Sequence, residues 1–278
     1  MTQLSFAMLG TLSLALLLAS HRPTASLDSY APIKEAFGSL VSFLKEAQPN
    51  AHFHGGASLL GGVINPNGQF TYRITTHDAG DHVIILAGEN GASTLDVDVV
   101  DSKGKSVVAD RVKGKVAAAT FKGRNPETFT VIAKNTAKSG DGKFGALAII
   151  VEQGGVTYPL NAITKVVNKM SSAIQTGFEK GYGITPNEPF ILGNLMETGS
   201  AYNRTGRLGG ERWLAIVTSD VSPLTIDVNF LDKAKSFVSP EEVSESASRL
   251  YGLKKLANSM QMKNSGQKRA LAFTGIMD

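Results

Sequence analysis

One stretch of this chain is written twice at a fixed spacing, and that repeat restricts the fold more than any other feature. Ile33, Phe37, Leu40 and Leu44 recur as Ile163, Val167, Met170 and Ile174, each 130 residues later. Steps of four, three and four place each set on one stripe of an α-helix. The echo continues past the helix, where TLDVDVVD (residues 94–101) returns as LTIDVNFLD (residues 224–232). The string Ala146-Leu147-Ala148 returns as Ala270-Leu271-Ala272, now 124 residues on, so the second copy is shorter before its last strand. The repeat implies two similar units, each a docked helix followed by strands.

In the first copy the spacing predicts a helix from Pro32 to Ala47, with Ser29 as cap, Pro32 in the first turn and Pro49-Asn50 as the stop. From Phe53 the period shortens to two. Strands are predicted over Gln69 to Thr75, His82 to Ala87, Leu95 to Val100, Ser106 to Ala109, Val116 to Phe121, Phe129 to Ala133 and Phe144 to Glu152. Turns fall at Asn65-Pro66-Asn67-Gly68, Glu89-Asn90-Gly91, Ser102-Lys103-Gly104-Lys105 and Gly140-Asp141-Gly142. Gly55-Gly56-Ala57-Ser58 with Gly61-Gly62 reads as a glycine-rich loop. The second copy is predicted to hold a helix from Leu160 to Phe178. Its strands are Trp213 to Thr218, Leu224 to Phe230, Lys235 to Val238, Ala257 to Met262 and Ala270 to Ile276. The helix-start signal Ser239-Pro240-Glu241-Glu242 predicts a further helix, Pro240 to about Asn258, in place of a strand.

These elements predict a mainly β protein with flanking helices: two tandem helix-plus-antiparallel β-sandwich domains. The expected division is a signal peptide over residues 1–26, copy one over 27–155 and copy two over 156–278, joined at Gln153-Gly154-Gly155-Val156. The leader is apolar from Leu4 to Ala19 except for small Ser, Thr and Gly residues, and Pro23-Thr24-Ala25-Ser26 follows. It falls short of the roughly 20 residues that span a bilayer, which predicts a secretory signal cut between Ser20 and Ser26. Its start has no Lys or Arg before the apolar run. The expected location is extracellular or periplasmic, with no membrane span after the leader is removed.

The absence of cysteine excludes disulfides, zinc–thiolate sites and cysteine nucleophiles. A net charge of +4 is too small and too dispersed for nucleic acid. Lys263, Lys268 and Arg269, the densest late basic run, read as a solvated hairpin. Asn203-Arg204-Thr205 fits the acceptor pattern for N-glycosylation.

The run from Ala79-Gly80-Asp81 through Asp101-Ser102-Lys103-Gly104-Lys105 to Thr128-Phe129-Thr130-Val131 resembles bacterial pre-peptidase C-terminal domains. It also resembles the β-sandwich modules that accompany von Willebrand factor A domains in hemicentin-like proteins. There a helix precedes a G-x-F strand, here Gly68-Gln69-Phe70. The resemblance covers about half of each copy. The second copy departs from it, with Asn229 in place of Asp98 and no Gly in Asp232-Lys233-Ala234-Lys235. Either resemblance implies a non-catalytic accessory or adhesion module.

Two side-chain groups are candidates for chemistry. Asp96 and Asp98 lie two apart on a predicted strand and leave one face, where Asp101 or Asp110 would complete an oxygen shell for calcium. Copy two keeps oxygen-bearing Asp227, Asn229 and Asp232. Alternation on a half-buried strand produces the same pattern without any ion. His52 and His54 would be same-face metal ligands on a strand, and His77 and His82 flank the Asp78 to Asp81 turn. A zinc or copper site needs three or four of these together. Copy two has no histidine. No G-x-S-x-G elbow, phosphate-loop signature or nucleophile–base pairing is present, so no catalytic residue is assigned. Trp213 corresponds to Val83 in copy one, which predicts a core position.

The reading that best fits is a secreted non-catalytic binding, adhesion or accessory module recognising an extracellular protein or glycan, with no cofactor required. The alternatives are a metal-binding protein or metal-dependent enzyme using the copy-one His and Asp residues, and a packing unit of an extracellular assembly.

Overall fold

A computed structural model describes residues 31–278 apart from 49, 90–93, 111–115, 152–153, 209–210 and 246. The leader and most of the Glu89-Asn90-Gly91 turn lie outside the described residues. The first half runs α1 (Ala31–Ala47), β1 (His52–Phe53), β2 (Ala57–Ile64), β3 (Gln69–Thr76), β4 (Asp81–Gly88), β5 (Leu95–Val100), β6 (Ser106–Asp110), β7 (Val116–Lys122), β8 (Glu127–Asn135) and β9 (Lys143–Val151). The second runs β10 (Val156–Thr157), α2 (Leu160–Glu179), β11 (Ile191–Met196), β12 (Ala201–Leu208), β13 (Trp213–Ser219), β14 (Ile226–Leu231), β15 (Glu242–Glu245), β16 (Ser248–Leu253), β17 (Ala257–Asn264) and β18 (Ala270–Met277). The protein is mainly β with two flanking helices.

The strands form a large antiparallel sheet and two small ones. The large sheet runs β10-β1-β9-β2-β11-β18-β13-β16-β15, with β4 on β9 and β7 on β4. The small sheets are β3-β8-β5-β6 and β12-β17-β14. The same pairing order, β2-β9-β4-β7 and β11-β18-β13-β16, appears in both halves. They meet where β2 pairs with β11, with Leu59 opposite Gly193 and Gly61 opposite Ile191.

Three layers result. Both helices dock on one face of the large sheet through the stripes expected from their spacing: Ile33, Phe37, Leu40 and Leu44 of α1, and Ile163, Val167, Met170 and Ile174 of α2. This helix-side core is continuous across both halves. The opposite face buries two separate sandwich cores, one around Phe70, Phe121 and Phe129 and one around Trp213, Phe230 and Met260. Trp213 is fully buried, edge-on to Phe230, and its indole Nε1 donates to the Lys255 carbonyl at 2.9 Å.

The glycine-rich stretch expected as a loop is largely strand: all eight residues of β2 are buried. Leu59 and Val63 face the helices while Leu60 and Ile64 face the first sandwich. A strand covered on both faces loses the alternation that marks half-buried strands. Its glycine has a packing reason. A Cβ on Gly61 would lie 2.8 Å from the Phe144 ring, and one on Gly193 would lie 2.5 Å from Phe273. Both aromatic rings flank Phe37 beneath α1.

The helix expected from Pro240 to Asn258 is not formed; β15, β16 and the start of β17 occupy that stretch. Leu250 enters the helix-side core, while Tyr251 and Leu253 enter the second sandwich. Only an extended chain delivers neighbouring residues to opposite faces of one sheet. The Glu241 N–H, expected to start a helix, instead donates to the Gly252 carbonyl across a hairpin. Local propensity for the Pro-Glu-Glu start is a weak term beside this burial.

Candidate functional site

Asp96 and Asp98 sit on β5 and share the outward face of the first small sheet, as their spacing requires. Pairing sets Asp96 opposite Lys134, and Asp98 opposite Ile132. The Asp98 carboxylate is ion-paired with the Lys134 ammonium. Asp101 does different work. Its Oδ1 accepts the backbone N–H groups of Lys103 and Lys105, both at 2.9 Å, and so holds the hairpin turn. Those bonds, Lys105 first, lower its carboxyl pKa from the ordinary value. Asp232 repeats the role, accepting from the Ser236 N–H at 2.9 Å. Among the described residues no three His, Asp or Glu side chains converge as a metal shell.

The corresponding face of the second half is chemically different. Strand register places Asn203, Gln261 and Asn229 in one row across β12, β17 and β14. The next row is Thr205, Ser259, Leu231 and Phe237. On the other side lie Ala201, Lys263 and Asp227. Residues directly opposite on paired strands share a face. This face points outward, because the alternate residues Met260, Met262 and Phe230 fill the sandwich core. Phe237 is 73% exposed at the end of its row. The face therefore offers amide and hydroxyl groups flanked by a bare aromatic ring, where the first half presents an ion pair. Sequence reading placed Asp227 and Asn229 correctly on a strand, but Asn203, Gln261 and Phe237 join them only through register.

The histidines gather at the outer corner of the first sandwich. His52 on β1 and His82 on β4 are both opposite Val151 of β9, on the sheet face away from the helices. His52 is exposed, whereas His82 is fully buried. Phe53, between His52 and His54, points to the helix-side core. His54 Nε2 is 3.0 Å from the Thr75 carbonyl and His82 Nδ1 is 3.1 Å from that of Gly80. The other ring nitrogens, His54 Nδ1 and His82 Nε2, are enclosed without a hydrogen-bond partner. The two ring centres are 6.1 Å apart. Burial lowers the His54 pKa and keeps the ring neutral at pH 7. A cavity of about 250 Å³ lies beside it, lined by His54, His77, Asp78, Val151, Gly154 and Gly155 among others. The fold thus brings His54 to His82 and leaves His52 outside.

Between the halves the Arg204 guanidinium donates to the Pro189 carbonyl at 3.1 Å, and burial lowers its pKa to about 10 while leaving it cationic. The adjoining cavity, about 50 Å³, has room for little more than water. On β11, both amide atoms of buried Asn194 lack a partner. The sequence marked Arg204 only as the middle of the Asn203-Arg204-Thr205 pattern and did not mark Asn194.

No protein-family model matches the chain, and no curated protein matches it in sequence. Among solved structures, the pre-peptidase C-terminal domain of a collagenase from Bacillus anthracis is 16% identical, covering 34% of this chain and 90% of that one, with a TM-score of 0.29. Tandem CBM51 modules of the family 98 glycoside hydrolase of Streptococcus pneumoniae are 11% identical, covering 77% and 83%, with a TM-score of 0.25. A Clostridium perfringens ZmpB structure, the M60 catalytic domain with two CBM51 domains, is 9% identical at a TM-score of 0.28; the match covers 80% of this chain and 36% of that one. None of these superposes closely enough to carry a ligand or a site across. Among the described residues no helix is long and apolar enough to cross a membrane.

Proposed function

We propose that the protein is a secreted, non-catalytic binding module, built by duplication of a helix-plus-sandwich unit, and that it binds glycan on the outer face of the β12-β17-β14 sheet. The leader over residues 1–26 supports export, and the 130-residue echo supports duplication. The observation that carries the binding reading is Phe237, 73% exposed and paired with Leu231 at the end of the row that continues through Ser259 to Thr205. An uncovered aromatic ring packs on the C–H face of a sugar, and neighbouring amides donate to and accept from its hydroxyls. Asn203, Gln261 and Asn229 supply both functions from one row. The amide row gives hydrogen-bonding specificity without a buried charge.

The test is a glycan array followed by calorimetry on the mature chain. Phe237→Ala is expected to weaken a detected glycan by about tenfold, equivalent to ~1.4 kcal/mol. Gln261→Ala is expected to weaken it similarly, and Lys134→Ala on the opposite half to leave it unchanged. Glycan binding indifferent to Phe237 and Gln261, or capture of protein ligands alone, overturns the assignment.

A further inference from the structure

We propose that His54 Nδ1 and His82 Nε2 together hold one monovalent copper ion. Each ring is already set up as a ligand. A metal-bound histidine almost always passes its other N–H to a carbonyl or carboxylate, which fixes the tautomer and leaves one lone pair bare. His54 has the Thr75 carbonyl at 3.0 Å and His82 has the Gly80 carbonyl at 3.1 Å. The bare nitrogens are those buried without partners. His82 is fully buried, so its lone pair has no access to bulk water. Leaving two such acceptors enclosed and unused is costly, on the order of 1–3 kcal/mol each.

The ring separation and the number of ligands together narrow the ion. An imidazole nitrogen lies roughly 1.2 Å from its ring centre, so with metal–nitrogen bonds of about 2 Å two rings facing each other across one ion have centres roughly 6.4 Å apart, against roughly 5.2 Å at a tetrahedral angle. The observed 6.1 Å lies inside this range, so the two rings are close enough to share one ion. No third His, Asp or Glu converges with them among the described residues. Zinc takes four ligands in structural sites and calcium six to eight oxygens, so neither suits a two-nitrogen site. A closed-shell monovalent ion accepts two nitrogens in line, and imidazole suits copper. The cavity bordered by His54, His77 and Asp78 gives the ion a way in. The second half, with no histidine, has no equivalent, so one ion per chain is expected.

The test is titration of the mature chain with Cu(I) under ascorbate and without oxygen, with Ag(I) as a redox-inert check, read by competition with a chromogenic chelator. One equivalent is expected to bind, with X-ray absorption showing two nitrogen neighbours. His54→Ala and His82→Ala are each expected to weaken binding by roughly 100-fold, as loss of one of only two ligands demands. His52→Ala and His77→Ala are expected to bind as the parent does. Because His82 is buried, circular dichroism accompanies each variant; should His82→Ala unfold, half-buried His54→Ala decides. No Cu(I) uptake, uptake that survives His54→Ala, or a four-coordinate spectrum overturns the site and leaves a buried water as the occupant.

Discussion

Asn135 and Asn264 each tie three backbone segments together with one side chain. Asn135 donates to the Ile64 carbonyl at 3.0 Å and accepts from the Thr94 hydroxyl and the Ala137 N–H. Asn264 donates to the Met196 carbonyl at 3.1 Å and accepts from the Thr225 hydroxyl and the Gly266 N–H. Both are buried, so truncation leaves several polar groups dry. Asn135→Ala and Asn264→Ala are each expected to lower unfolding free energy by about 1–3 kcal/mol, measured by urea titration. Asn194 is the reverse case, 2% exposed with neither amide atom bonded. Asn194→Leu is expected to stabilise by about 1 kcal/mol, because an apolar isostere removes the desolvation cost. A destabilised variant would show that water satisfies the amide. His54 adds a pH dependence. Burial, the largest cause, lowers its folded pKa below the ordinary histidine value of 6.5. The unfolded chain then takes up the proton first, so stability falls as pH drops below 6.5 towards the folded pKa and is flat above it. In His54→Gln this acid slope is expected to shrink.

At the scale of elements, half-buried strands were legible by alternation, and the doubly covered β4, β9, β13 and β18 by their continuous apolar runs. Strand β5 has one buried face, and its alternation of Leu95, Val97 and Val99 with Asp96, Asp98 and Val100 was plain in the sequence. Both helices were legible for the same reason, a single apolar stripe. Strands β2 and β11 are covered on both faces and contain Gly61 and Gly193, so neither alternation nor β propensity marked them. The proposed binding face was half legible: Asp227 and Asn229 showed as outward residues, but Asn203 and Gln261 meet them through pairings distant in sequence. The histidine pair was hidden likewise, since β9 lies between β1 and β4. The central glycines give a direct test of the β2–β11 junction. A Cβ on Gly193 would lie 2.5 Å from the ring of Phe273, which is itself packed against Phe37. Gly193→Ala is expected to cost about 1–3 kcal/mol through overpacking. The double change with Phe273→Leu is expected to recover part of that, a coupling a thermal double-mutant cycle would read.

At the scale of the whole molecule, the repeat and the packing pull in different directions. The sequence repeat suggests a division near Gly155, and each half supplies most of one sandwich core. The helix-side core belongs to both: α1 packs on α2, and Phe37 touches Phe144 of its own half and Phe273 of the other. Tyr158 ties the junction further. It stacks on Phe53 at 4.5 Å, its hydroxyl accepts the Leu195 N–H at 2.6 Å and meets Ser58 at 3.1 Å, and burial raises its pKa to about 12. A half expressed alone would bare the edge of β2 or β11 and an apolar face made for the partner helix, which invites self-pairing. Trp213, the single tryptophan, reports on the second sandwich core, while far-ultraviolet circular dichroism reports on both halves. If the shared core couples them, the two signals are expected to lose structure in one coincident transition in urea. Two separated transitions would mean that the sandwich cores outweigh the junction, and that the halves behave as the independent domains their repetition suggests.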